Sequence, residues 1–89
     1  MKITFDHDKN AANKTKHSIG FEEVAGFEWE GAVIFKDQRY DYGEERRVAI
    51  GYIRHRIHVL IYTIRKDFVR VISLRKANKR DIEKYEQER

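Results

Sequence analysis

The chain has 89 residues, with 19 Lys and Arg against 15 Asp and Glu, a formal net charge of +4 and a pI near 9.4; that length suits one small domain spanning residues 1–89. A 40% hydrophobic fraction that includes one Trp, five Tyr and five Phe is enough for a single core, so intrinsic disorder is not expected. The longest apolar runs, residues 32–35 and 59–62, are four residues each against the roughly 20 a spanning helix requires, Asp6 comes too early for a secretory leader, and the absence of Cys excludes disulfides, thiol nucleophiles and Cys-based zinc sites, so a cytoplasmic domain without a membrane partner is expected.

Residues 3–6 read as an opening strand. Asp8 stands at an N-cap position before a polar helix over residues 9–17 that ends near Gly20. Phe21, Val24, Ala25 and Phe27 or Glu28 recur every three to four residues, with Glu22 and Glu23 in the first turn, and predict a short second helix stopped by Gly31. A strand over residues 32–35 leads into a charged loop, 36–45, whose Gly43 supplies the turn. The β-branched and aromatic runs 48–53, 57–64 and 68–74 predict three strands of an antiparallel meander. Asn78 can cap a last helix over residues 79–87 in which Ile82 and Tyr85 form a small apolar contact. The expected fold is therefore α+β: an antiparallel sheet, made of a short N-terminal strand plus a meander, with two N-terminal helices and one C-terminal helix.

If Ile53 opposes Ile57 and Arg65 opposes Phe68, one sheet face collects Ala49, Gly51, Ile53, Val59, Ile61, Ile72 and Leu74. That face is the better core, and its Ala49 and Gly51 allow close helix approach. The other carries Arg46, Tyr52, His58, Tyr62, Ser73 and Arg75 around Val48, Ile50, Leu60 and Val71, a basic and aromatic surface suited to RNA. A one-residue slip in either turn reverses the assignment for that strand.

Charge is segregated along the chain. Up to Glu45 there are 6 basic and 10 acidic residues, and beyond it 13 and 5, so the halves carry −4 and +8. Arg outnumbers Lys 9 to 4 in the basic half, and Arg is the better bidentate phosphate ligand. A polyanion-binding surface follows, against the plainer reading of cations that only solvate strand ends and the last helix.

Glycine-rich phosphate loops, His-Glu-x-x-His helices, nucleophile elbows and EF-hand loops are all missing, so no cofactor is expected. His55 and His58, astride a turn with no neighbouring carboxylate, are rejected as metal ligands. What remains is metal-free phosphodiester chemistry on RNA, whose 2′-hydroxyl is the nucleophile and needs only deprotonation, charge stabilisation and a proton for the leaving oxygen.

The residues carry a resemblance as well. Asp8 with Asn13-x-x-Lys16-His17-x-Ile19-x-Phe21-Glu22-Glu23, then Gly43-Glu44-Glu45-Arg46 followed by Ile50-Gly51, then Arg70-Val71-Ile72-Ser73-Leu74-Arg75-Lys76-Ala77 and Tyr85, resembles the BrnT-type toxins of bacterial type II toxin–antitoxin systems over nearly the whole chain. Leu74 stands where a small residue is usual, Asp81 replaces a customary Glu, and the loop 36–42 does not follow the pattern. The resemblance implies a RelE-like fold, a growth-arresting ribonuclease, and neutralisation by a BrnA-type antitoxin bearing a ribbon-helix-helix DNA-binding domain, with DNA contacted only through the antitoxin.

Against that background Arg70 and Arg75 are assigned to the scissile phosphate or its transition-state charge, the alternative being solvated residues or partners of Glu44 and Glu45. Arg46 is placed similarly beside Glu45. His17 is a general acid or base, or else a cation completing a helix C-terminus. Lys16 and Lys76 contact phosphate, and His58 lies on the expected RNA face. Tyr62 and Tyr85 stack a base or donate a proton, unless they are core. Ser73 satisfies a backbone group, and Phe27, Trp29 and Phe35 are core or antitoxin contacts. Two functions remain open on the sequence: an endoribonuclease toxin, and a module that binds RNA or antitoxin without turnover.

Overall fold

Asp6, rather than Asp8, starts the first helix. Its carboxylate accepts the backbone N–H of Asp8 and Lys9 at 2.8 and 3.0 Å, which is the N-cap geometry that satisfies the first orphan donors. In the computed structural model, which describes residues 2–89, this helix, α1, spans His7–His17 and follows the strand β1, Lys2–Thr4. Ser18 ends α1 in the left-handed conformation at φ 59°. The second helix is a 3-10 helix, Phe21–Gly26. Phe21, Val24 and Phe27 are buried at spacings of three residues, the period that a 3-10 helix aligns on one side.

β2 (Val33–Lys36), β3 (Arg47–Ile53), β4 (Arg56–Arg65) and β5 (Phe68–Lys76) form the meander, and α2, Lys79–Glu88, closes the chain. The sheet order is β1-β5-β4-β3-β2. The sheet is mixed rather than purely antiparallel, because β1 pairs parallel with β5 through Lys2, Ile3 and Thr4 opposite Phe68, Val69 and Arg70. A parallel neighbour needs a long connection, and here nearly the whole chain supplies it.

The register of the β3–β4 hairpin differs from expectation by one residue. Its turn is Arg54-His55, with Arg54 at φ 57°, and Ile53 opposes Arg56. Every β4 side chain therefore changes face. Leu60 and Tyr62 join Phe21, Val24, Phe27, Ala49, Ile53 and Leu74 under α1 and the 3-10 helix, while Val59 and Ile61 pass to the second face with Val48, Ile50 and Tyr85. Arg65 does oppose Phe68, but a β-bulge at Ile61/Tyr62 shifts the rest of the ladder, so that Tyr62 opposes Val71 and Ile61 opposes Ser73. Gly51 acts as expected. A Cβ there would lie 2.9 Å from the Phe27 ring and 3.1 Å from the Ala32 Cβ.

Asn78 caps α2 in a reciprocal capping box with Asp81, and Tyr85 seats the helix on β3, its ring edge-on to Tyr52 at 5.8 Å. Among the described residues no helix is long and apolar enough to cross a membrane.

Candidate nucleic-acid interface

The second face of the sheet is only partly roofed by α2. Beside the helix runs a groove of about 550 Å³ with Val48, Ile50, Val59 and Ile61 as its floor. Lys36 and Arg39 on one bank, and Arg75, Arg80 and Lys84 on the other, give its rim a positive balance over Asp37 and Asp81.

β5 supplies Arg75 to this rim, and its bulge brings Arg70 to the same sheet face. Arg70 and Arg75 are five residues apart, an odd separation that places side chains on opposite faces of a regular strand. The extra residue between them, Ile72, has no opposite number on β4, so both arginines reach the second face: Arg75 opposite Val59 and Arg70 opposite Thr63. Re-aiming a side chain is what a bulge does. At about 3.3 Å per residue the two backbone positions are some 15 Å apart. Arg46, alternating with Val48 and Ile50, adds a third cation near the Arg70 end. Its guanidinium lies 3.9 Å from the Tyr42 ring centroid, and its buried Nε has no hydrogen-bond partner among the described residues.

Arg75 is held from α2. Its two terminal nitrogens donate to Asp81 at 2.6 and 3.3 Å, and the same carboxylate accepts the Asn78 N–H at 2.8 Å. Burial pushes the Asp81 carboxyl up, but the Arg75 and Asn78 hydrogen bonds outweigh it and hold the group below its ordinary value. A guanidinium has five donors, so Asp81 leaves others for a second anion.

Lys16 and His17 end α1, with Lys16 exposed and His17 half-buried. Burial, followed by the positive charges of Lys16 and Arg75, holds the His17 pKa below its ordinary value, a shift that favours the neutral imidazole. Lys76 is exposed at the end of β5. His17, at the end of α1 on the helix-covered side, is thus within electrostatic reach of Arg75 across the outer edge of β5, while Arg46 and Arg70 stand at the other end of the second face.

Three other expected RNA contacts are buried. The register slip carries His58 and Tyr62 to the helix-covered face. There the His58 Nδ1 lies 2.8 Å from the Arg56 carbonyl oxygen, and burial pushes its pKa down. Tyr62 is enclosed by Trp29, ring centroids 5.2 Å apart, and burial raises its phenol pKa. Tyr85 is buried because it anchors α2. None of the three rings presents an open face for a base. Trp29 itself is 37% exposed, whereas Phe27 is core and Phe35 is half-buried under the Lys84 ammonium.

Three residues to which the sequence assigned no site role also shape the site. Asn13 is buried at the contact of α1 with β5, hydrogen-bonded to both backbone groups of Leu74. Asp81 holds Arg75. Asp37 organises the loop after β2, accepting from the Arg39 guanidinium at 2.9 and 3.0 Å and from the Tyr42 hydroxyl at 3.2 Å. The Arg39 hydrogen bonds, against the cost of burial, hold the Asp37 carboxyl down at about 2. Among the described residues no three His, Asp or Glu side chains are grouped to hold a metal ion.

A mixed five-stranded sheet, closed on one face by α1 and a 3-10 helix, and with a groove on the other whose rim is mostly cationic, defines a small α+β protein with a surface suited to a polyanion. Comparison of sequences then identifies the class: residues 5–81 match the family described as "Ribonuclease toxin, BrnT, of type II toxin-antitoxin system", and the chain belongs to that family. A comparison with curated proteins gave no match. Among solved structures, the crystal structure of the Brucella abortus ribonuclease toxin BrnT is similar at 26% sequence identity and a TM-score of 0.71, over 89% of this chain and 99% of that one. Membership of a type II toxin–antitoxin family implies an antitoxin partner.

Proposed function

We propose that the chain is a metal-independent endoribonuclease toxin acting in the cytoplasm, with RNA as substrate and a BrnA-type ribbon-helix-helix antitoxin as its neutralising partner. The observation that carries this reading is the bulge that turns Arg70 and Arg75 to one sheet face, with His17 within electrostatic reach of Arg75. Neutral His17 takes the proton of a 2′-hydroxyl. The freed oxygen attacks the adjacent phosphorus, and the bond to the 5′-oxygen breaks to leave a 2′,3′-cyclic phosphate. The departing oxygen takes its proton from Lys16 or solvent. Arg75, oriented by Asp81, meets the charge that develops on the phosphoryl oxygens. Arg70 and Arg46 hold flanking phosphates on the second face, and Lys76, opposite His58 at the end of the sheet, holds one beyond its edge, all setting register without reading sequence.

A second reading, binding without turnover, has one observation in its favour: Asp81 already engages the Arg75 guanidinium. Incubating purified protein with RNA in EDTA separates the two. Cleavage to products ending in a 2′,3′-cyclic phosphate, or the 3′-phosphate formed from it, supports the enzyme. Bound but intact RNA at micromolar protein supports the module.

A further inference from the structure

The outer edge of β5 is paired by β1 only at Phe68, Val69 and Arg70. Further along, at Leu74, no strand stands beside it, and a fully buried backbone N–H and C=O require partners. The Asn13 side chain supplies both. Its Nδ2 donates to the Leu74 carbonyl oxygen at 2.8 Å, and its Oδ1 accepts the Leu74 N–H at 3.3 Å. Its amide group donates also to the Ile19 carbonyl oxygen at 2.9 Å, just past the helix end. Asn13 thus takes the place of a missing strand for one residue, and that residue directly precedes Arg75.

Helix geometry carries the consequence. Residues three and four apart share a helix face, so Lys16 and His17 lie on the side of α1 that Asn13 pins to the strand, one turn further on. From this juxtaposition we propose that Asn13 is a positioning residue of the cleavage centre, its amide fixing α1 against Leu74 so that Lys16 and His17 stand beside Arg75. The inference rests on the cleavage reading given above, but its geometry is measurable without cleavage. The charged groups felt by His17 are Lys16 on its own helix and Arg75 on β5. Asn10, one turn before Asn13, ties the same helix elsewhere, accepting the Phe21 N–H at 2.8 Å and donating to Glu22 at 3.3 Å, and so provides a control.

The test is an NMR titration of the His17 ring, assigned by loss of its signal in His17→Gln, together with pH–rate profiles of RNA cleavage, for wild type, Asn13→Ala, Asn13→Ser and Asn10→Ala. Asn13→Ser keeps a hydroxyl near the cleft should the alanine variant fail to fold. The expected result is that His17 titrates below 6.5 in wild type and moves up toward 6.5 in the Asn13 variants. The acid limb of the rate profile should move with it, and kcat should fall at least tenfold with KM little changed. Asn10→Ala should lose thermal stability without moving either titration. Asn13 variants that melt earlier while His17 and the rate profile stay at their wild-type positions would overturn the proposal and leave Asn13 a structural clip. A wild type that leaves RNA intact overturns the cleavage reading; in that event the His17 titration still decides whether Asn13 sets the geometry.

Discussion

Replacing Asp81 tests whether α2 and the candidate site form one unit. The Arg75–Asp81 pair is short, at 2.6 Å, with side chains 32% and 16% exposed, and Asp81 also closes the capping box with Asn78. Loss of the cap hydrogen bond costs about 1 kcal/mol. A charge-assisted hydrogen bond contributes about 1.5 to 3 kcal/mol when buried, and the partial exposure of Arg75 reduces that toward about 1 kcal/mol. Asp81→Ala should therefore cost about 2 kcal/mol, which in a domain of this size lowers Tm by roughly 8 to 16 °C. Asp81→Asn keeps an oxygen for the Asn78 N–H and removes the charge, so it should recover about half of that loss. Chemical denaturation with matched m-values, followed by cleavage assays well below either Tm, separates folding from orientation of Arg75. A loss under 0.5 kcal/mol in Asp81→Ala, or equal losses in the two variants, would refute the claim that one carboxylate serves both the cap and Arg75.

The separation of Arg75 from Arg70 on β5 predicts different kinetic effects: Arg75→Ala should lower kcat by roughly 10² or more. Arg70→Ala should mainly weaken RNA binding and reduce its salt dependence by about one counterion, as read from KM and filter binding across a salt series. The Asp37 carboxyl, lowered from 3.8 to about 2, contributes stability that is complete above about pH 4 and is lost as pH falls through about 2; acid titration of stability should show that loss in wild type and a flatter profile in Asp37→Asn. If the antitoxin covers the cationic groove, RNA and antitoxin should exclude each other in titrations of one sample, with antitoxin affinity falling as salt is added.

Local chemistry made much of the fold legible. Asn78 reads as a cap, Gly31 and Gly43 sit at the positive φ values of 86° and 75° that turns demand, and Gly51 permits the close approach of Phe27. Non-local facts were not legible. β1 is three residues long, and no periodicity in so short a segment tells which strand it joins. The β3–β4 turn admits two or three residues with equal sense, and one residue decides whether His58 and Tyr62 face helices or groove. The Ile72 bulge is hidden because apolar residues occur at both parities of β5. Asn13 reads as a polar position in a charged helix; its signal was the repetition of Asn at positions 10 and 13, which an exposed helix face does not need. Asp81 likewise was visible as the third residue after a capping Asn, though nothing in the sequence joins it to Arg75.

The central claim, that RNA supplies its own nucleophile at a site built from His17 and Arg75, is tested most directly by mapping a cleavage site in an RNA oligonucleotide and replacing the single nucleotide 5′ to it with its 2′-deoxy analogue. The account predicts that cleavage at that phosphate disappears while binding of the oligonucleotide is retained. Continued cleavage there, with a hydrolytic end and no cyclic phosphate, would contradict it.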